Sequence, residues 1–195
     1  MANKVVYGLS NVHYAVWDDE TNQYGTPVHV PGAVSFTTTR EGNNDNFFAD
    51  NVPYVTFMTN GGYTGDLELA YGPAQMLVDL VGYIKAENGM VLEDSNATAK
   101  TFALLFEIGS NTNPERCVFY NCTLSRPEMD ANTTTDSTEP DTQSFELAAI
   151  PRALPWKGST KNFVKGTLEY SEATKALYES FFEAVVLPES TGAAA

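Results

Sequence analysis

Short segments with alternating apolar and polar residues recur along most of the chain, and this alternation constrains the fold more than any other feature. A period of two places successive side chains on opposite faces of a half-buried β-strand. In residues 142–150, for example, Phe145, Leu147 and Ala149 alternate with polar residues such as Ser144 and Glu146. The segments with strand character are 12–17, 28–30, 34–37, 52–58, 66–70, 102–108, 118–124 and 142–150. Strands at this spacing, divided by turn residues, predict a mainly β protein, either a β-sandwich or a barrel.

Two stretches have helical spacing instead, and we expect each to pack its apolar stripe on the sheet. The first begins near Pro73, which suits a first helical turn, and Asn88-Gly89 is a plausible stop signal. Its stripe consists of Met76, Leu77, Leu80, Val81 and Ile84. The second begins near Ser171 and ends before Pro188. The predicted fold is therefore a β-sandwich or barrel with one flanking α-helix and a C-terminal helix.

The length of 195 residues fits one domain, which we place at residues 1–188. Residues 189–195 are predicted to form a flexible C-terminal tail, and the Thr-, Asp- and Asn-rich stretch 127–140 a long mobile loop. Within the domain, residues 40–64 are expected to form a long loop and a hairpin around Asn60-Gly61-Gly62.

The charge of the chain argues against one class of function. Twenty-five Asp and Glu residues oppose eleven Lys and Arg residues, which gives a formal net charge of -14. Nucleic-acid binding needs cations that neutralise phosphates, so this balance argues strongly against it. No basic residue lies between Arg40 and Lys85, whereas five lie from Arg152 to Lys175. This distribution is either scatter over a solvated surface or a basic patch that docks on the acidic patch of a neighbour.

Side chains suited to catalysis are sparse. His13 and His29 lie in strand-like segments, and Cys117 and Cys122 are an odd number of positions apart. On one strand an odd separation points side chains to opposite faces, so we expect buried free thiols and neither a disulfide nor a shared metal site. Motifs for a nucleophilic serine or a phosphate loop are missing. We predict no enzyme activity, no metal and no cofactor, with two carboxylates paired only in space as the enzymatic alternative.

No apolar run reaches the eighteen or so residues of a membrane helix. The chain starts directly in a strand-like pattern, without the apolar segment of a signal peptide. We therefore expect a protein that is made inside a cell and has no membrane contact.

Two adjacent aromatic residues, Phe47 and Phe48, lie in a strongly polar segment of turn-forming residues. Leaving both rings in water costs roughly 1.5–3 kcal/mol each. They either pack beneath their own loop or anchor a second chain, because aromatic residues are enriched at the cores of interfaces.

Seven segments, in order along nearly the whole chain, resemble the major tail protein of long-tailed, non-contractile phages of Gram-positive hosts. They are 6–15 (VYGLSNVHYA), 24–34 (YGTPVHVPGAV), 47–51 (FFADN), 62–68 (GYTGDLE), 102–107 (FALLFE), 120–127 (YNCTLSRP) and 138–142 (TEPDT). The resemblance implies a tail tube subunit: a β-sandwich with a flanking helix that forms hexameric rings, which stack into a tube for genome delivery. Implied partners are copies of itself, a tape-measure protein, tail chaperones, and the distal tail and tail terminator proteins. It also implies assembly in the host cytoplasm and a final location in the virion.

The resemblance also assigns roles to residues. The family's long loop between early strands, which reaches the adjacent ring, maps onto residues 40–52, with Phe47 and Phe48 as its anchors. Candidates for inter-ring or inter-subunit contacts are Phe47, Phe48, Asp50, Tyr54, Lys157, Lys161 and Lys165. Candidates for the lumen of the tube are Ser35, Thr37, Thr39, Thr142, Ser144 and Glu146. A lumen without cations would repel DNA over a screening length of roughly 8 Å, so that DNA passes without specific binding.

The main alternative is a monomeric β-sandwich recognition module that binds a carbohydrate or a receptor on a virion or cell surface. Such a module would present exposed aromatic residues on a concave face and would remain monomeric in solution.

Overall fold

A computed structural model describes residues 4–128, 133 and 141–190 of the chain. This part is mainly β, with antiparallel strands and little helix, which confirms the predicted fold class. The strands are β1 Val6–Asp18, β2 Gln23–Tyr24, β3 Val28–His29, β4 Ala33–Glu41, β5 Asn44–Ala49, β6 Val52–Met58, β7 Gly62–Leu69, β8 Ile84–Lys85, β9 Val91–Leu92, β10 Phe102–Ser110, β11 Glu115–Leu124, β12 Gln143–Ala149, β13 Arg152–Trp156, β14 Ser159–Phe163 and β15 Lys165–Glu169. The helices are α1 Ala74–Met76, continued by a π-helical turn Leu77–Val81, and α2 Lys175–Glu179.

One antiparallel sheet holds most of the strands, in the order β2, β1, β10, β11, β12, β7, β4, with β3 beside β1. Strand β11 divides this sheet. Its first half pairs with β15 from Glu115 to Phe119, and its last three residues pair with β12. The sheet folds over at this point, so that β4, β7 and β12 form one layer and β1, β10 and β15 form another.

Strand β10 is buried on both faces. Every second side chain from Phe102 to Phe106 lies in a first core, which the inward residues of β7 and β12 complete. The side chains between them lie in a second core, with Leu154 and Phe181 from the C-terminal part of the chain. Burial on both faces explains why this strand is a continuous apolar run and does not alternate.

The predicted helices are shorter than expected. Gly82 has φ 86° directly after the π-helical turn and ends the first helix there, since glycine at positive φ is a common helix terminator. Ile84 therefore leaves the predicted stripe, lies in β8 and is half-exposed, while Asn88-Gly89 forms the turn between β8 and β9. The C-terminal helix is the five residues of α2, with turns on either side.

The predicted hairpin around Asn60-Gly61-Gly62 is wrong. Strand β6 pairs with β5 and β7 pairs with β4, so residues 59–62 carry one strand into the next without reversing direction. The backbone N–H of Gly61 donates to the carbonyl of Glu41 at 2.8 Å and joins the two ladders. Gly62 is required by close approach of another strand, because a Cβ there would lie 2.0 Å from the carbonyl oxygen of Ala149.

Cys117 and Cys122 are free and buried, as predicted. The prediction that they lie on opposite faces is wrong, because both belong to the first core. A register shift between the residues opposite Phe102 and Leu104 adds an extra residue to β11 and resets its alternation.

Residues 152–169 form three strands that the sequence pattern did not identify. Strands β13 and β14 form a hairpin whose tip is Lys157-Gly158, with φ values of 49° and 74°. Two positive values fit a type I′ turn, and the glycine at its second position was the sequence signal that could have pointed to this hairpin.

Residues 129–132 and 134–140 of the predicted mobile loop, and 191–195 of the predicted tail, lie outside the described residues. Across the ranges that are described, no helix is long and apolar enough to cross a membrane.

Candidate functional site

One face of the layer formed by β4, β7 and β12 points away from the core and carries hydroxyl and carboxylate side chains. We term this surface the polar face. It consists of Ser35, Thr37, Thr39 and Glu41 on β4, Thr64, Asp66 and Glu68 on β7, Ser144, Glu146 and Ala148 on β12, and Thr142 directly before β12. The alternate residues Phe36, Leu67 and Phe145 of the same strands point into the first core. The polar face has four carboxylates and neither Lys nor Arg among its residues.

The six candidate lumen residues lie together on the polar face. Ser35, Thr37 and Thr39 come from β4, while the other three come from the start of β12 and the residue before it. Strand β7 separates the two sets and supplies the residues that sequence reasoning missed: Thr64, Asp66 and Glu68. Their alternation with Leu67 and Leu69 was the signal that could have found them.

Hydroxyl groups hold the carboxylate of Glu68. The hydroxyl of Thr142 donates to Oε1 at 2.6 Å, and that of Ser35 donates to Oε2 at 2.8 Å. These hydrogen bonds, that of Thr142 first, lower the pKa of Glu68 below its ordinary value because they stabilise the charged form. Thr64 donates to Oε1 of Glu41 at 2.8 Å in the same way. The hydroxyls of the polar face thus orient the carboxylates of Glu68 and Glu41, and they favour the ionised form of Glu68.

Two further carboxylates of the polar face lie directly opposite each other. Asp66 and Glu146 are cross-strand partners in the β7–β12 ladder and are both exposed. Like charges in this position destabilise a sheet. They also form the kind of spatial pair that the enzymatic alternative requires, but they line an open cleft of about 540 Å³ whose walls are polar. An acid catalyst of the glycosidase type needs a more apolar setting.

Arg126 is the one arginine among the described residues that line this cleft. Its guanidinium donates to the carboxylate of Glu93. The hydroxyl of Tyr83 also donates to Glu93, at 3.0 Å. The pKa of Glu93 is lowered by Arg126 first and by Tyr83 second, so the arginine charge is engaged by an ionised partner beside the polar face.

Strands β5 and β6 extend the β4–β7 hairpin beyond the body of the protein as a two-stranded projection, residues 44–58, which we term the arm. At its tip, Asp50 and Asn51 have φ values of 53° and 62°, as a type I′ turn requires. All side chains of its two strands are exposed except that of Ala49, which is half-buried. The long loop predicted at residues 40–52 is therefore strand and turn, paired with the strand that follows it.

Both faces of the arm carry exposed apolar side chains, and only one of them carries an acidic residue. Cross-strand pairing places Phe47 beside Val55, and Asp45 beside Phe57, on one face. The rings of Phe47 and Phe57 are 57% and 58% exposed. The other face carries Phe48 and Met58 together with a hydrogen bond of 2.8 Å from the Thr56 hydroxyl to Asn46. The first face is thus an apolar strip of three side chains with an acidic residue beside it.

Phe48 and Tyr54 are also exposed on the arm, at 59% and 72%. Tyr54 is the extra residue of a register shift in β6, and Phe48 pairs with Pro53 on the following rung. With both phenylalanines exposed, the interpretation that they pack beneath their own loop is wrong.

The three candidate lysines lie on two different elements. Lys157 and Lys161 belong to the β13–β14 hairpin, where the ammonium of Lys157 lies 5.1 Å from the centroid of the Trp156 ring. Lys165 begins β15, and its ammonium lies 5.1 Å from the ring of Tyr63. Lys165 is therefore separate from the hairpin and borders the opening between β1 and β4.

Strand β4 is the last strand of the sheet order, and in the described part of the chain no further strand pairs with its outer edge. Its unpaired backbone groups are a template on which another strand can add.

The two histidines come together although sequence reasoning treated them separately. Their ring centroids are 4.9 Å apart, and the ring of His13 stacks on Phe182 at 4.4 Å. Burial, and then the nearby charges of His29 and Arg116, lower the pKa of His13. Among the described residues, no three His, Cys, Asp or Glu side chains are grouped so that they could hold a metal ion.

No known family model matches the chain. No curated protein matches its sequence. Among solved structures, the chain is similar to one from the cryo-EM structure of the anti-feeding prophage baseplate, with 11% identical residues and a TM-score of 0.49, over 86% of this chain and 97% of that one. A chain from the cap that terminates the tube of the same prophage is similar at 10% identity and a TM-score of 0.42, over 87% and 95% of the two chains. Likenesses this distant leave the function to be argued from the residues themselves.

Proposed function

We propose that this protein is a structural subunit that assembles with copies of itself into a tube of the phage-tail type, and that the polar face lines the bore. The observation that carries the proposal is the polar face itself. Three adjacent strands expose four carboxylates and an almost continuous set of hydroxyls, without a cation among them. DNA is held by cations that replace its counterions, so a wall of this kind gives a passing phosphate backbone nothing to bind.

Self-assembly is supported by two features outside the polar face. The first is the unpaired edge of β4, through which the sheet of one subunit can continue into the next. Closing a sheet into a ring removes its edges and so prevents uncontrolled pairing. The second is the arm, whose exposed aromatic residues gain free energy only when another surface covers them.

The finer form of the assembly follows from the resemblance to major tail proteins of long-tailed, non-contractile phages. In this form, six subunits make a ring, rings stack into a tube for genome delivery, and the arm contacts the adjacent ring through Phe47, Phe48, Asp50 and Tyr54. Lys157, Lys161 and Lys165 are the proposed basic contacts, on two separate surfaces. Tape-measure, chaperone, distal tail and terminator proteins are the further proposed partners, and the virion is the proposed location.

The alternative of a monomeric recognition module expects exposed aromatic residues on a concave face. Here, Phe47, Tyr54 and Phe57 lie on an arm that projects from the body. The cleft on the polar face is lined by hydroxyl, carboxylate and guanidinium groups and has no aromatic residue in its described wall. On the arm and the polar face, this arrangement favours assembly over ligand capture.

Negative-stain microscopy of the concentrated protein tests the proposal. We expect rings or tubes with a central hole, and light scattering that increases with concentration. A monomer that persists at millimolar concentration, even beside pre-formed tail tips as seeds, would contradict it.

A further inference from the structure

The two layers of the sheet leave an opening at one end, between the first half of β1 and the middle of β4. Residues 6–9 of β1 pair with β10 on one side only, while β3 and Val30 cover the other side of β1 from residue 12 onwards. Strand β4 pairs with β7, and no described ladder joins it to β1. The opening is a cavity of about 330 Å³, which we term the slot.

Aromatic side chains of the first core form the wall of the slot, with Phe106 and Phe119 buried and Phe36 half-buried. Phe36, Phe106 and Phe119 line it, with the Phe36 ring 5.1 Å from that of Phe106 and 5.7 Å from that of Phe119 in edge-to-face contact. Its rim is apolar too, since Val6 and Tyr7 are 54% and 60% exposed. An apolar opening of this kind between two sheet layers is a site for a partner's side chains.

On the β1 side of the slot, the backbone is poorly suited to adding a strand. Gly8 and Asn11 have φ values of 74° and 53°, and the pairing of β1 with β10 shifts register at both places. Bulges of this kind interrupt the regular spacing of edge N–H and C=O groups. An occupant that docks against β1 must therefore satisfy its own backbone and insert side chains.

We infer that the slot receives the apolar strip of the arm from a second copy of the chain, an inference that rests on the proposed function. The arm satisfies its own backbone in the β5–β6 ladder and presents Phe47, Val55 and Phe57 on one face. Its charge also matches, because the arm has Asp45 and Asp50 and no cation, whereas Lys165 is the single charged residue among the described residues that line the slot. Asp45 lies on the same face as the apolar strip, so it would meet Lys165.

The arm of the same copy cannot fill the slot. It continues β4 away from the slot, and Phe47 lies nine positions beyond Thr38, which lines the slot. At about 3.3 Å per residue, nine positions of strand span roughly 30 Å. The contact is therefore made between copies.

Disulfide cross-linking between two tagged variants tests this contact. One carries Phe57→Cys on the strip, and the other carries Thr38→Cys at the slot. We expect a mixed disulfide dimer when the two variants assemble together and are oxidised, because the arm of one lies in the slot of the other. Thr56→Cys is the matched control, since it lies beside Phe57 on the opposite face of the arm and should cross-link several-fold less.

The outcomes separate the inference from the proposed function. Tubes that form without the Phe57–Thr38 cross-link, or with an equal one from Thr56→Cys, overturn the slot contact and leave self-assembly intact. Failure of the unmodified chain to assemble overturns both.

A charge exchange gives a second test that does not need cysteines. Lys165→Glu should raise the concentration needed for assembly by about tenfold, because it places two like charges in contact. Adding Asp45→Lys on the same chain should restore assembly, since every contact then pairs opposite charges again. Asp50→Lys is the control and should not restore it. Rescue by both second changes, or by neither, would overturn the assigned pairing.

Discussion

At the scale of single residues, the polar face contains one pair of like charges that destabilises the fold. Asp66 and Glu146 are directly opposed on neighbouring strands, where like charges cost free energy. Natural sequences break such local rules mainly at functional positions. We interpret the pair as part of the proposed bore surface, which would offer DNA no cation to bind.

Asp66→Asn should therefore stabilise the isolated subunit. We expect the free energy of unfolding in urea at low salt to rise by about 0.2–1 kcal/mol, because the like-charge contact disappears. Glu68→Gln is the matched control on the same strand, and it should not stabilise the fold because Glu68 accepts two hydroxyl hydrogen bonds. A lower free energy of unfolding in Asp66→Asn would show that the carboxylate of Asp66 stabilises the folded subunit.

The stability of the subunit should decrease as the pH falls through the range of histidine. The folded pKa of His13 lies below its ordinary value of 6.5, chiefly through burial against Phe182, with smaller effects from His29 and Arg116. The neutral ring is therefore the form that the fold favours. The free energy of unfolding that the neutral ring of His13 contributes is fully present above about pH 6.5. It is lost as the pH falls through the lowered pKa. The carboxylate of Glu107 is bonded to Arg116 at 2.7 Å.

Urea unfolding at about pH 7.5 and about pH 5.5 measures this dependence. We expect the unmodified chain to lose more stability between the two values than His13→Gln does, because the variant cannot gain the buried charge. Equal losses in the two chains would assign the pH dependence to carboxylates elsewhere.

At the scale of elements, the pairing of β4 with β7 depends on a glycine. Gly65 faces inward between Thr38 and Leu147, and a Cβ there would lie 1.9 Å from the carbonyl oxygen of Thr37. Gly65→Ala should lower the free energy of unfolding by about 1–3 kcal/mol, since strand β4 must move away. Gly25→Ala is the control, because its nearest neighbour is 3.5 Å away. Equal effects of the two changes would contradict the close approach.

The arm should be separable from the fold. Phe47→Ser combined with Phe48→Ser should leave the free energy of unfolding within about 0.5 kcal/mol of the original, because both rings are exposed in the free subunit. The same protein should fail to elongate tubes in microscopy. Tyr71→Ser removes an exposed aromatic residue away from the arm and should elongate normally. Normal elongation of the double variant would remove the arm from the assembly contact.

Most strands of the body could be predicted from alternation, because each has one buried and one solvated face. The prediction of strand pairing and side-chain orientation failed where the sequence pattern had a cause other than regular alternation. The glycines in residues 59–62 were interpreted as a turn. The structure shows that Gly62 is needed because the chain passes close to a neighbouring strand there. A register shift in β11 placed both cysteines in one core, and a bulge of this kind leaves no periodic signal.

At the scale of the whole molecule, the sequence could predict the two ingredients of the candidate site but not their arrangement. Ser35 to Thr39 and Thr142 to Glu146 were identified as two sets, yet only the pairing of both strands with β7 shows that they share a face. Long-range pairing of this kind depends on contacts far apart in the chain. The slot was not predictable for the same reason, since it is formed by β1 and β4 where no ladder joins them.

The central claim is that the polar face lines the bore of an assembly of this chain. A cryo-EM reconstruction of tubes grown from the purified protein tests it most directly. We expect Asp66, Glu68 and Glu146 on the inner wall, with a strand of the neighbouring subunit beside β4. Tubes with these carboxylates on the outer wall or buried between subunits would contradict the account.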